Sequence, residues 1–217
     1  MKLVIDERLY IQKMKAILLF TLTLMSILGK SQLAADNYVQ TIQSKRHNSK
    51  KEIISENRAP LQASDTSLLD YFAPDYGWKL EAKIILIPDD TVFQMPTSSG
   101  KTKPFKRFGI AKMQHDGKEF QLSIYQNQNF LDDPELKDYL FIPFLDATNG
   151  ESTYEGGRYI DLRLYEIKNG VAVIDFNLCY NPYCAYSTGY NCPVPPIENR
   201  LQIKIEAGEK KFREADH

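Results

Sequence analysis

Three histidines, three cysteines and one tryptophan stand among 217 residues. So few cysteines exclude a disulfide-dense scaffold. His47, His115 and His217 lie far apart, and no His-based metal set or Ser-His-Asp triad is spelled out around them. An excess of either charge is also missing. The 27 basic and 28 acidic residues leave a net charge of −1, so no overall basic field draws the chain to nucleic acid. The uncharged run Ala16 to Leu28 (AILLFTLTLMSIL) spans 13 residues, short of the roughly 20 that cross a bilayer. What remains is 43% hydrophobic and 25% charged, the balance of a globular protein with room for one domain.

The short apolar run has the length of a signal-peptide core. Lys13 and Lys15 supply its positive flank, and Gly29, Lys30, Ser31 and Gln32 form a small, polar stretch suited to cleavage. The expected organisation is a signal peptide over 1–32, with Met14 as a possible true start, a helical lead-in over 33–57 and a β domain over 58–212. Cleavage implies a periplasmic or secreted protein without a stable membrane anchor. Without the leader's five basic and two acidic residues, 22 basic and 26 acidic residues remain, net −4.

Asp36 is placed to cap a helix. Apolar residues at Tyr38, Val39, Ile42, Ile53 and Ile54 follow an incomplete helical stripe, interrupted at Arg46 and Ser49. The spacing predicts one exposed helix, or a helix with a frayed middle, whose basic cluster Lys45–Lys51 is a solvated face. From Trp78 the period becomes two. Leu80, Ala82 and Ile84 alternate with charged residues, as do Leu122 and Ile124 with polar ones, Ile160 and Leu162 with Asp161 and Arg163, and Leu201, Ile203 and Ile205 with Gln202 and Lys204. Val171 to Phe176 is apolar on both faces until Asp175 and reads as a central strand. Asp116-Gly117 and Asn169-Gly170 are hairpin turns, and Asn149-Gly150 is a third turn signal. No long helical pattern separates the strands, so parallel crossovers are excluded. The expected fold is mainly β, an antiparallel barrel or sandwich with an N-terminal helix packed outside.

Ser99-Gly100-Lys101-Thr102 imitates the end of a phosphate-binding loop. Met95 stands where its first glycine belongs, and Pro104 blocks the helix that must follow. No cofactor or metal is expected.

The carboxy-terminal third carries separate blocks in order: YLFIPFLDATNGESTYEGGRYIDL, then VIDFNLCYNPYCAYSTGYNCPVPPIENRLQIKIEAGEK. With DYFAPDYGWKL, KRFGIAKM and FQLSIYQN upstream, the chain resembles the DUF1684 family, a bacterial domain family of unknown function, from about Glu56 to Lys210. The resemblance implies a domain without implying a reaction. Cys184 and Cys192 belong to the family's pattern. Cys179 departs from it, standing where the family usually has a small residue.

Seven tyrosines, from Tyr154 to Tyr190, fall within one 37-residue stretch. Candidate ligand-binding residues cluster there and just beyond: Tyr154, Arg158, Asp175, Asn177, Asn181, Tyr183, Cys184, Glu198, Asn199 and Arg200. Arg158 has the planar fork to clamp a carboxylate or phosphate, or pairs internally with Asp161, Asp175 or Glu198. Asp175 and Asn177 share a strand face. The alternative role of these polar groups is to satisfy one another under an irregular loop. Tyr159, Asp161, Arg163 and Tyr165 share another face, either solvated or a ligand platform. Cys184 and Cys192 form a short-loop disulfide, stay as buried thiols, or carry reactive chemistry. Two functions fit: a non-catalytic domain binding a small molecule, peptide or envelope glycan, or a hydrolase using Asp175, Tyr183 and Cys184 with Arg158 as substrate anchor.

Overall fold

The computed structural model describes residues 7–212 except Glu56 and Asp90, and leaves out the side chains of residues 7–9, 19 and 21–34. The expected cleavage stretch Gly29–Gln32 is thus without described side chains, and His217 lies outside the described residues. Helix α1 (Glu7–Ser55) opens the chain. The chain divides into two units, Met1–Thr41 and Ile42–His217. In the first, Tyr10, Ile11, Met14, Ile17, Leu18 and Phe20 are exposed. Among the described residues no helix is long and apolar enough to cross a membrane.

The second unit is mainly β. Its strands are β1 (Lys79–Leu86), β2 (Val92–Pro96), β3 (Thr102–His115), β4 (Lys118–Asn127), β5 (Tyr139–Phe144), β6 (Arg158–Arg163) and β7 (Val171–Asp175). They form one antiparallel sheet in the order β6-β5-β4-β3-β1-β7, with β2 paired to β3. The sheet curls into a half-barrel, and a bridge between Tyr159 of β6 and Tyr180 beyond β7 ties its two edges together. Alternation puts Leu80, Ala82, Ile84, Leu122, Ile124, Leu140, Ile142, Phe144, Ile160 and Leu162 in the main core. Both hairpin turns adopt left-handed backbone, Asp116 with Gly117 and Asn169 with Gly170, as primed turns require. A bulge between Arg107 and Gly109 re-aims β3. There a Cβ on Gly109 would stand 2.8 Å from the Ile85 carbonyl oxygen, so only glycine lets β1 approach.

The opposite face of β2–β6 is covered as well. Met95, Phe105, Tyr125, Phe141 and Tyr159 form a second, aromatic core. The register lines up Arg107, Tyr125, Phe141 and Asp161 in one row across four strands.

Three expectations are corrected. Val171–Asp175 is an edge strand paired only to β1, with Val173 exposed; apolar residues on both faces did not make it central. Leu201–Ile205 is not a strand. The chain runs beside Leu145–Ala147 through isolated backbone bonds, and side chains of Asp146 and Arg158 take the remaining partners. Of the two helical readings the frayed one is set aside, since the helix runs unbroken through Arg46 and Ser49. Within the second unit its basic cluster is not wholly a solvated face. Arg46 donates to the carbonyls of Phe72 and Asn177, and Lys50 to those of Thr66 and Leu69.

Candidate functional site

Most of the candidate polar side chains hold the fold. Arg158 lies on the core face of β6, paired with Phe144 and with its guanidinium 5.4 Å from that ring, and is fully buried. Its partner is Asp146 (2.7 Å), also fully buried, and not Asp161, Asp175 or Glu198. It also donates to the carbonyls of Ile205, Ala207 and Glu209. The expected role of Arg158 as a substrate anchor is therefore corrected: both terminal nitrogens are bonded inside the core, and its Nε is buried without a hydrogen bond among the described residues. Asp146 in turn accepts from the Thr148 amide and hydroxyl and the Ile205 amide.

Asp175 and Asn177 do meet, but not on a shared strand face: β7 ends at Asp175, whose side chain caps the 3-10 turn Phe176–Leu178. Asp175 accepts from the Asn177 amide and from its Nδ2, while the buried Asn177 side chain clasps both the N–H and the C=O of Asp75, at 2.8 and 2.7 Å. Asn199 does the same between β4 and β5. Its Oδ1 accepts from Ser123 N–H, and its Nδ2 donates to the carbonyls of Ser123 and Pro143. The ladder there has one Cα pair, Tyr125 with Phe141. Pro143 has no N–H to give it, so a buried amide completes the pairing. Beside it, Glu198 accepts from Tyr125 OH at 2.8 Å, and Arg200 is exposed.

Asn181 is buried against the carboxy-terminal segment, its amide donating to Glu209 and its Nδ2 to Lys210 O. Tyr186 OH donates to the other Glu209 oxygen at 2.6 Å. Burial pushes the Glu209 carboxyl up to about 7, against the opposing pull of Tyr186, Asn181 and Arg158. Nothing local in Gly208-Glu209-Lys210 marks Glu209 as a buried carboxyl.

Cys184 and Cys192 are joined in a disulfide, and Cys179 is a buried free thiol. Burial raises Cys179 to about 11, which removes it from thiolate chemistry near neutral pH. The bridge closes a short loop beside the end of β2, where Ser98 donates to Cys192 O and the Cys192 amide to Ser98 Oγ. Half-buried Tyr183 packs edge-on to Tyr190, and Tyr154 lies over Gly156. Arg158, Asp175 and Cys184 thus have separate partners and form no common centre. Thiol titration of the denatured, unreduced chain is expected to find one free thiol. Finding three would exclude the bridge. Reduction is expected to lower stability by about 2–3 kcal/mol, the loop-closure value for so short a loop.

One polar constellation faces outward. Tyr139 on β5 and Tyr180 beyond β7 both donate to Oδ1 of Asp161 on β6, each at 2.6 Å. Asp161 is exposed, and the two tyrosines are half-buried. The curl of the sheet brings them together, since the Tyr159–Tyr180 bridge carries Tyr180 to the β6 edge. Burial and the Asp161 charge hold both phenols well above their ordinary value, so both remain donors. Arg163 stacks 5.6 Å from the Tyr139 ring and is bound to Asp138 and the Glu135 carbonyl. Tyr165 leaves this face, because β6 ends at Arg163 and the chain turns. Among the described residues no three His, Cys, Asp or Glu side chains gather to hold a metal.

These features define a small half-barrel β-domain with an aromatic second face and buried polar clasps. Residues 66–210 match the family described as "Protein of unknown function (DUF1684)", and the chain belongs to that family. It is similar to the uncharacterised protein from gene locus rrnAC0354 of Haloarcula marismortui, solved in solution by NMR. The identity is 28%, the TM-score 0.62, and the alignment covers 81% of this chain and 95% of that one. No curated protein matches the chain.

Proposed function

We propose that the chain is an exported, non-catalytic β-domain that binds a small molecule, peptide or glycan, and that Tyr139, Asp161 and Tyr180 form its contact surface. The observation carrying this reading is the exposed Asp161 carboxylate, walled by two tyrosines that both donate to the same oxygen. Elsewhere in the tyrosine-rich segment, polar groups of this kind are enclosed in structural clasps. A few convergent polar groups set among aromatic side chains are a recurring part of ligand contacts. Hydrolysis through Asp175, Tyr183 and Cys184 is the weaker reading, because the Cys184 sulfur is bonded to Cys192 and Arg158 is enclosed. Two features support export. Ile17, Leu18 and Phe20 expose apolar surface within the 13-residue run, and a disulfide persists in an oxidising compartment.

A thermal-shift screen of metabolites, short peptides and oligosaccharides tests the binding reading. The expected result is a ligand that stabilises the wild type by several degrees and loses its effect with Asp161→Asn. Ligands indifferent to Asp161→Asn would move the site elsewhere, and turnover of a ligand would restore the enzyme reading. For export, the mass of the chain recovered from the expressing cell is expected to lack the leader through about Gln32; a full-length mass would count against cleavage.

A further inference from the structure

Resting on that contact surface, we infer that its ligand is a small organic cation presenting an ammonium or guanidinium group. The argument is an inventory of hydrogen-bonding capacity. Each phenol carries one proton, and both protons point to Asp161 Oδ1. What the three side chains still offer is the second carboxylate oxygen, which takes no hydrogen bond among the described residues, and the phenol lone pairs left over from the contact of the two tyrosines with each other. Every remaining site accepts, and none donates. The nearest guanidinium, on Arg163, is directed to Asp138 and Glu135 O. Burial raises the Asp161 carboxyl above its ordinary value against the pull of the two phenols and Arg163, and Glu166, in the turn that follows β6, adds to that rise.

Such a surface discriminates by chemistry. An anion meets Asp161, Asp138 and Glu166 against one arginine. A neutral polyol supplies donors, but its own oxygens find no donor in return. An ammonium or guanidinium supplies only donors and a positive charge. It matches an acceptor-only carboxylate site.

The test titrates the full, isotope-labelled chain with n-butylammonium and n-butylguanidinium, against n-butanol, n-butyrate and methyl α-glucoside, reading backbone amide shifts. Saturable shifts at Asp161, Leu162 and Tyr180 with the cations alone, weakened about tenfold or more by Asp161→Asn, support the inference. A parallel titration with Nα-acetyl-lysinamide distinguishes a free amine from a lysine side chain, and a stronger response to the peptide form overturns the small-molecule assignment. Shifts at Asp161 from the glucoside or butyrate, but not from the cations, overturn the cation inference while leaving the binding surface standing. No response at Asp161 from any probe, together with screen hits that ignore Asp161→Asn, overturns both. Asp161 is exposed, so the variant is expected to keep the wild-type spectrum elsewhere; if it does not, the wild-type selectivity series still decides.

Discussion

Arg158→Ala is expected to destabilise the domain by about 3–5 kcal/mol, the range for removing one partner of a buried ion pair. That is a large part of the 5–15 kcal/mol that holds a typical domain folded. The loss has two sources. The Asp146 carboxylate, fully buried with Arg158 at 2.7 Å, is left without its counter-charge. The carbonyls of Ile205, Ala207 and Glu209 lose the donor that ties the carboxy-terminal chain to β6. Arg158→Lys is expected to restore only part of the loss, because a point ammonium cannot span a carboxylate and several carbonyls as a planar fork does. Arg158→Met with Asp146→Leu should be less damaging than either single change, since it removes both charges together. Urea denaturation measures all five variants. Near-wild-type stability of Arg158→Ala would show that this pair does not anchor the segment.

The same pair explains why part of the fold was legible in the sequence and part was not. Strand content follows from period-two alternation, a local property, and β1, β4 and β6 lie where their alternation places them. Asp116-Gly117 and Asn169-Gly170 likewise encode their own backbone. The run Leu201–Ile205 alternates just as well but has no ladder, because its partners are side chains brought from Asp146 and Arg158. Alternation reports which side chains are buried and is blind to what satisfies the backbone. Val171–Asp175 failed in the converse way: valine on an exposed edge looks like valine in a centre.

The candidate residues divide along similar lines. Asp175 with Asn177 is a contact between near neighbours, and sequence spacing captured it. The clasps of Asn177 on Asp75 and Asn199 on Ser123 join residues 102 and 76 positions apart, and nothing local announces them. Asp161 was visible as one member of an alternating face. Its selection over Tyr159, Arg163 and Tyr165 depends on the curl that delivers Tyr180 to the β6 edge.

Stability is expected to fall as pH rises from about 5 to 8, through Glu209. This carboxyl is fully enclosed, and burial lifts it from an ordinary 4.5 to about 7 in the folded chain. Between those values the folded state holds a proton that the unfolded state has released. The associated stability is complete below the unfolded value and is lost as pH passes the folded one. A rise of this size corresponds to about 3 kcal/mol in all. The ionised form retains the Tyr186 hydroxyl and the Asn181 amide as donors, so the domain is weakened above pH 7 without losing its carboxy-terminal clasp. Asp89 and Glu155 move the other way, held below their ordinary values by Thr91 and Lys211 respectively. Their contributions are lost only in acid, so they do not mask the window. Glu209→Gln can still accept from the Asn181 amide and donate to the Tyr186 oxygen, and it cannot ionise. Urea midpoints measured across pH 5–8 should therefore slope downward in the wild type and flatten in the variant. A difference between the two chains that stays constant over this range, or that favours the wild type at high pH, would mean that Glu209 is ionised throughout in the fold.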